Sequence, residues 1–175
     1  MITINVTQQV LAPVALVNQA LLEHSKLDRF FNAKIKQVKD ENNGELVGGK
    51  GAVRQISIGK IVFEERIISA TKDHICYRII GNWPVSDHQG DIRLTSYIAP
   101  QVKPQVTSPG VDIETTQLDY VISFNSPKWL PDFLLKFFVE RDIVNAMKKL
   151  ALHFSVENSA TAGALKVGSS TGESA

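Results

Sequence analysis

The sequence predicts an α+β domain: a curved antiparallel sheet of about seven strands wrapped around a long carboxy-terminal helix, with two short helices after the first strand. Three observations support this prediction. Several segments alternate apolar and polar residues, as strands with one buried face do. Two short stretches with helical spacing follow the first of these segments. Residues 131–154 have no internal proline or glycine, which favours one helix about 36 Å long.

The amino-terminal part reads as a strand followed by two short helices. Residues 3–10 alternate apolar and polar side chains, which predicts an amphipathic strand. Pro13 suits the first turn of a helix that continues to about Leu22. Ser25 is a favourable cap for a second short helix that ends near Phe31. These two helices precede a short second strand at 35–40.

Residues 51–81 read as three consecutive antiparallel strands. Gly59 and Lys60 form a two-residue loop with glycine at its first central position, which is typical of a type II′ hairpin turn. Such a loop fixes the register, so Arg54 lies opposite Glu65 on the more apolar, inner face. The same register pairs Ala52 with Ile67, Ile56 with Phe63 and Ile58 with Ile61, and the third strand adds Ile75, Tyr77 and Ile79 to that face.

Two more strands, at 87–97 and 113–124, complete the predicted sheet. The proline-containing stretch 99–110 between them is expected to be a long, irregular and mobile loop. The closing helix is apolar nearly all round in its first half and carries one apolar stripe in its second half. Residues 157–175 are mostly small and polar, so we expect one domain at 1–156 and a disordered tail.

The composition excludes several classes of protein. An apolar content of 43% and a charged content of 21% are ordinary for a soluble globular protein. A net charge of +1 gives no strong attraction to nucleic acid or to an anionic membrane. Neither a signal peptide nor an apolar run of the ~18 residues that a membrane span needs is present, so we expect a cytoplasmic protein with no integral membrane segment. Nothing in the sequence specifies an oligomeric state.

The sequence contains no motif typical of a catalytic, nucleotide-binding or metal-binding site. The run Gly44 to Lys50 matches the start of a nucleotide-binding P-loop, but Gly51 and a strand follow where that motif needs Ser or Thr and a helix. The four histidines, His24, His74, His88 and His153, lack metal-site spacing. The single Cys76 excludes an intramolecular disulfide and is expected to be a structural thiol. We therefore expect no nucleotide, no metal and no cofactor, and we assign no catalytic residue.

Four segments carry a family resemblance. GAVR at 51–54, ERI at 65–67, YRIIG at 77–81 and SDHQGDIRL at 86–94 follow the order and spacing of the polyketide cyclase/dehydrase (lipid-transport-like) family. The chain resembles this branch of the START-like, or SRPBCC, superfamily over roughly residues 3–155. The resemblance implies a helix-grip fold with a ligand cavity between the sheet and the closing helix. The superfamily includes aromatase/cyclases, lipid-transfer domains and plant hormone receptors.

The predicted cavity combines a mostly apolar lining with a few polar groups that could orient a ligand. An alternative interpretation is structural, in which Arg54 and Glu65 neutralise each other and the tyrosines fill the core. The residues predicted to line the cavity are Arg54, Ile56, Phe63, Glu65, Tyr77, Ile79, His88, Ile92, Leu94, Leu118, Tyr120, Ile122, Val139, Ile143 and Met147.

Three functions are compatible with this cavity. We favour binding of a hydrophobic small molecule or lipid, because no catalytic signature is needed for it. The alternative is a polyketide cyclase or aromatase-like enzyme in which Arg, His or Tyr assists proton transfer in the same cavity. A hormone-receptor-like module is disfavoured, because the Gly59-Lys60 loop is too short to resemble the lid loop of the plant abscisic-acid receptors.

Overall fold

The computed structural model describes residues 1–98 and 114–167, without the side chains of residue 98 and of 157–167. The strands in chain order are β1 (Ile2–Val10), β2 (Lys34–Lys39), β3 (Val53–Ile58), β4 (Ile61–Ala70), β5 (His74–Ile79), β6 (Ser86–Ile98) and β7 (Glu114–Asn125). The helices are α1 (Val14–Leu22), a 3-10 helix (His24–Arg29) and α2 (Asp132–Val167). The predicted loop at 99–110 and residues 168–175 lie outside the described residues.

The seven strands form one antiparallel sheet in the order β1-β7-β6-β5-β4-β3-β2. Together with the two early helices and the long α2, this architecture is consistent with the helix-grip fold, and the predicted fold class is confirmed. Lys34, Lys36 and Lys39 are exposed on β2, which is one of the two edge strands. Charged side chains on an edge strand discourage pairing with another chain.

The β3–β4 hairpin has the predicted register. Arg54 is paired with Glu65, Ile56 with Phe63 and Ile58 with Ile61. Gly59 has a φ of 59°, whereas Lys60 is not among the residues with positive φ. A positive φ at the first central position alone is the requirement of a type II′ turn, which is why glycine is favoured there.

The early helices differ from the prediction at their boundary. The helix α1 ends at Leu22, as predicted, and begins at Val14, so Pro13 is its N-cap and lies one position before the first turn. Glu23 then caps both α1 and the following 3-10 helix, so Ser25 lies inside that helix and is not its cap. The predicted cap was wrong because the chain enters the second helix without an intervening turn, and the 3-10 helix ends at Arg29 rather than at Phe31.

The closing helix is longer than predicted. It continues to Val167, past the predicted end at Phe154. Residues 157–167 contain several alanines and no proline, and alanine has the strongest intrinsic preference for the helical conformation.

The second half of α2 closes the hydrophobic core. Its stripe of Ile143, Ala146, Met147, Leu150 and Phe154 is buried, and the helix packs against the edge strand β1. The first half of α2 buries few of its side chains and leaves a space above the inner face of the sheet. None of the helices in the described part of the chain is long and apolar enough to cross a membrane.

Candidate functional site

A cavity of about 520 Å³ lies between the first half of α2 and the inner face of the sheet. This volume is within the range of ~300–1,000 Å³ that small-molecule sites have. Its lining is mostly aliphatic and aromatic, with a small polar group among the buried residues. The contributing elements are β2 to β7, the loops that precede β2, β6 and α2, and the helix α2 itself.

Arg54 and Glu65 form a buried ion pair at the cavity wall. The Arg54 Nε donates a hydrogen bond of 2.8 Å to Glu65 Oε2 across the β3–β4 pair. Burial alone would lower the pKa of Arg54, but the neighbouring Glu65 carboxylate and the two tyrosines raise it above its ordinary value. Arg54 therefore stays protonated beside the Glu65 carboxyl group. The terminal guanidinium N–H groups have no further hydrogen-bond partner among the described residues, and Arg54 lines the cavity.

Two tyrosines extend this polar group across the sheet. The hydroxyls of Tyr77 on β5 and Tyr120 on β7 are hydrogen-bonded to each other. The Arg54 guanidinium carbon lies 4.6 Å from the centre of the Tyr77 ring, a cation–π contact. Burial raises the pKa of both tyrosines above the ordinary value, so both hydroxyls remain protonated at neutral pH.

A β-bulge in β6 lies beside His88. The register shifts between Ser86 and Gln89, and Asp87 adopts a φ of 50° there. Because the bulge adds one residue, Val85 and His88 both line the cavity although they are three positions apart. An asparagine or aspartate tolerates this left-handed conformation better than most side chains.

The protonation of His88 is set by its surroundings. The ring Nδ1 accepts a hydrogen bond of 3.3 Å from the Ile79 backbone N–H. Burial, together with the charge of Arg54, lowers the pKa of His88 below its ordinary value, despite the opposing effect of Glu65. The ring is therefore neutral at pH 7, with its proton on Nε2. In this state His88 offers a hydrogen-bond donor.

Eleven of the fifteen residues predicted for the cavity line it: Arg54, Ile56, Phe63, Glu65, Tyr77, Ile79, His88, Tyr120, Ile122, Val139 and Ile143. The other four, Ile92, Leu94, Leu118 and Met147, are buried in the hydrophobic core instead. They share the inner face, as alternation predicts, but lie farther along β6, β7 and α2, where the core is filled.

Sequence reasoning missed the rim of the cavity. Exposure rises from the buried polar group toward an opening where Trp83 and Trp129 are 53% and 72% exposed. The missed lining residues are Phe31, Asn32, Ala33, Ile35, Ile58, Ile61, Trp83, Pro84, Val85, Phe124, Pro127, Trp129, Leu130, Leu135 and Asp142. The sequence feature that could have indicated the rim is the position of the two tryptophans: Trp83 precedes Pro84, and Trp129 lies between Pro127 and Pro131. Large apolar residues are unusual in such turn segments.

The described residues hold no group of three or more His, Cys, Asp or Glu side chains that could bind a metal ion. Within the described ranges, Cys76 is a free thiol whose pKa is raised by burial and by Asp91. A raised thiol pKa lowers its nucleophilicity at neutral pH.

Comparison with known proteins finds likeness at the level of fold. The chain is similar to the solved structure of the protein XoxI from Bacillus cereus, with 15% identity, a TM-score of 0.61 and coverage of 88% of this chain and 96% of that one. It is also similar to a putative uncharacterized protein from Bacillus thuringiensis, with 14% identity, a TM-score of 0.59 and coverage of 87% and 98%. A Nitrosospira multiformis protein gives 18% identity, a TM-score of 0.56 and coverage of 90% and 99%.

No family model matches the chain. No curated protein matches it either. At identities this low the solved structures establish the shared fold and nothing finer.

Proposed function

We propose that this chain is an SRPBCC-type domain that binds a hydrophobic small molecule or lipid between its sheet and the first half of α2. The observation that carries the proposal is the cavity of about 520 Å³, whose mostly apolar lining encloses one small polar group. A filled core would leave no such volume, because protein interiors pack with few voids larger than a water molecule.

The polar group favours a particular kind of ligand. Arg54 is neutralised by Glu65, so a ligand carboxylate would bring an uncompensated charge into a buried site. The spare N–H groups of Arg54 and the Nε2 proton of His88 are hydrogen-bond donors. We infer that the ligand is largely apolar and carries one uncharged acceptor, such as a carbonyl or hydroxyl oxygen, at the end bound deepest in the cavity.

The same geometry favours binding over proton-transfer catalysis. A general base needs an accessible lone pair and a suitable pKa. His88 uses its Nδ1 lone pair on the Ile79 N–H, and Glu65 is engaged by Arg54. The raised pKa values of Tyr77 and Tyr120 keep these hydroxyls protonated. The His88 Nδ1 and the two tyrosine hydroxyls are therefore not placed to remove a proton, so the cyclase-like alternative ranks second.

Native mass spectrometry of the purified protein tests the proposal. We expect an adduct that organic solvent extracts and that high-resolution mass analysis identifies as a mostly apolar molecule with an uncharged oxygen function. Loss of the adduct from Val139→Trp, which adds bulk to the cavity wall, would support binding there. Retention of the same adduct at full occupancy by Val139→Trp would contradict the proposed site.

A further inference from the structure

The two tyrosine hydroxyls at the buried end of the cavity carry more protons than their mutual hydrogen bond uses. Tyr77 and Tyr120 are buried, both line the cavity, and their hydroxyls are hydrogen-bonded to each other. Each hydroxyl has one proton, so a bonded pair uses one proton between its oxygens and keeps the other. Neither hydroxyl has a further hydrogen-bond partner among the described residues. One O–H group of the pair is therefore available to a third atom.

Tyr77 brings the other hydrogen-bond donors of the cavity close to this pair. The centre of its ring lies 4.6 Å from the guanidinium carbon of Arg54. It lies 5.5 Å from the centre of the His88 ring and 6.4 Å from that of the Tyr120 ring. These four side chains are thus gathered around one ring, and we call them the donor cluster.

The unpartnered nitrogens of the donor cluster are open to the cavity. Arg54 donates to Glu65 through its Nε, which leaves its terminal N–H groups, and His88 keeps the proton on its Nε2. Among the described residues, the side-chain nitrogen and oxygen atoms that are fully buried without a partner belong to His24 and His74. The free nitrogens of Arg54 and His88 therefore keep exposed surface, and both residues line the cavity.

The donor cluster has more open donors than its surroundings have open acceptors. The open donors are one tyrosine O–H, the terminal N–H groups of Arg54 and the Nε2–H of His88. The acceptors beside them are tyrosine lone pairs and the Glu65 oxygen that does not bind Arg54. A carbonyl oxygen accepts two hydrogen bonds and donates none, whereas a hydroxyl also requires an acceptor. A carbonyl oxygen therefore fits this surplus of donors best.

We propose that the donor cluster recognises the carbonyl oxygen of an apolar ketone, and that the Tyr77–Tyr120 pair donates the hydrogen bond that distinguishes the ketone from an alcohol or a hydrocarbon of similar shape. The inference rests on the proposed ligand binding and narrows the class of ligand. A ligand without the acceptor leaves buried donors unpaired, and this cost is what makes a polar group in an apolar cavity selective.

Three probes of similar shape test the class of ligand. They are methyl β-naphthyl ketone, the alcohol obtained by reducing it, and the hydrocarbon in which C=CH₂ replaces the C=O group. Isothermal titration calorimetry gives the Kd of each probe. We expect the ketone to bind at least fivefold more tightly than the alcohol. Alcohol binding as tight as that of the ketone would overturn the proposed ligand class.

A double variant tests the tyrosine pair. Tyr77→Phe with Tyr120→Phe removes both hydroxyls and keeps both rings, so no partner of their hydrogen bond is left unpaired. The ratio of the hydrocarbon Kd to the ketone Kd should fall at least fivefold, because only the ketone loses a hydrogen bond. Tyr97→Phe is the matched control, since Tyr97 is half-exposed and does not line the cavity, and it should leave the ratio unchanged. An unchanged ratio in the double variant would overturn the role of the pair.

Infrared spectroscopy tests the contact in the unchanged protein. The stretching frequency of a carbonyl group decreases when its oxygen accepts a hydrogen bond. The bound ketone, isotope-labelled in its carbonyl group, should therefore absorb at a lower frequency than it does in hexane. The frequency should rise toward the hexane value in the double variant. A bound ketone that absorbs at the hexane frequency in the unchanged protein would overturn the inference.

The inference and the proposed function can fail separately. Binding of the ketone and the hydrocarbon with the same ratio in the unchanged protein and the double variant would refute the ketone site alone, because the cavity would still be occupied. Absence of binding by all three probes would refute the binding cavity and the ketone site with it.

Discussion

Tyr77 on β5 and Gly90 on β6 face each other across their paired strands, and the Tyr77 ring fills the space that a Cβ at position 90 would need. This placement lets the Tyr77 hydroxyl cross β6 and reach the hydroxyl of Tyr120 on β7. The glycine therefore positions the polar end of the cavity. Glycine is needed at position 90 because a side chain would clash with the Tyr77 ring, and not for its backbone conformation, since Gly90 is not among the glycines with positive φ.

Gly90→Ala should destabilise the protein by ~1–3 kcal/mol, because the added methyl group displaces the Tyr77 ring. Urea denaturation measures this change. The matched background is Tyr77→Leu, which removes the ring atoms that the methyl would meet. In the Tyr77→Leu background, Gly90→Ala should lower the free energy of unfolding much less, which gives a coupling energy between the two positions of about 1 kcal/mol or more. Equal costs in the two backgrounds would show that the ring does not constrain position 90.

Removing one partner of the Arg54–Glu65 pair should be costly. Arg54→Met or Glu65→Met leaves a lone buried charge and should lower the free energy of unfolding by ~3–5 kcal/mol. The double variant leaves no unpaired charge, so its loss should be well below the sum of the two single losses. A loss near zero for Arg54→Met would mean that the pair is hydrated and has no place in the cavity wall.

His24 makes the stability depend on pH. It is buried, and neither ring nitrogen has a hydrogen-bond partner in the parts of the chain described. Burial, with a smaller effect of Arg54, lowers its pKa from 6.5 to about 3. Below pH 6.5 this histidine is protonated in the unfolded chain but stays neutral in the folded chain. The contribution of His24 to the free energy of unfolding is therefore fully present above pH 6.5 and is lost as the pH decreases toward 3.

Between pH 7 and pH 5 this histidine should cost the wild type ~2 kcal/mol of stability. His24→Leu removes the titrating group and should remove most of that loss, leaving a smaller part from His88, whose pKa is also lowered. Urea denaturation at the two pH values gives the comparison, and most carboxylates stay ionised throughout. An unchanged pH dependence in His24→Leu would show that the ring is protonated in the folded state.

We propose that the domain ends near residue 156. Phe154 is the last buried side chain among those described. A chain shortened to residues 1–156 should keep its thermal unfolding midpoint within about 3 °C of the full chain, a change of less than 1 kcal/mol. Scanning calorimetry on both chains measures it. A larger decrease would indicate that residues 157–167 of α2 contribute contacts to the fold.

The strands and their register could be predicted because local rules determine them. A two-residue loop with Gly59 aligned Arg54 with Glu65, and alternation placed Tyr77 and Tyr120 on one face. Alternation gives the face of a residue but not its position along the strand. That is why Ile92 was assigned to the cavity although it belongs to the core.

The rim could not be predicted from periodicity. Trp83 and Trp129 lie in loops, where no repeating pattern reports which way a side chain points. The space between Tyr77 and Gly90 depends on pairing between β5 and β6, which no single segment encodes. His88 was identified by alternation, but the bulge that also brings Val85 to the cavity arises from pairing between β6 and β7.

The central claim is that the space under α2 is a binding cavity, and titration with an apolar fluorescent dye tests it most directly. A tryptophan at position 94 would not block the cavity, because Leu94 is part of the hydrophobic core and does not line the cavity. Val139→Trp lines the cavity, and Val62→Trp is the matched change on an exposed position of β4. We expect micromolar binding that Val139→Trp weakens at least tenfold and Val62→Trp leaves unchanged, with both variants folded. Unchanged dye binding in Val139→Trp, together with a stability loss of ~1–3 kcal/mol as in ordinary overpacking, would contradict the account.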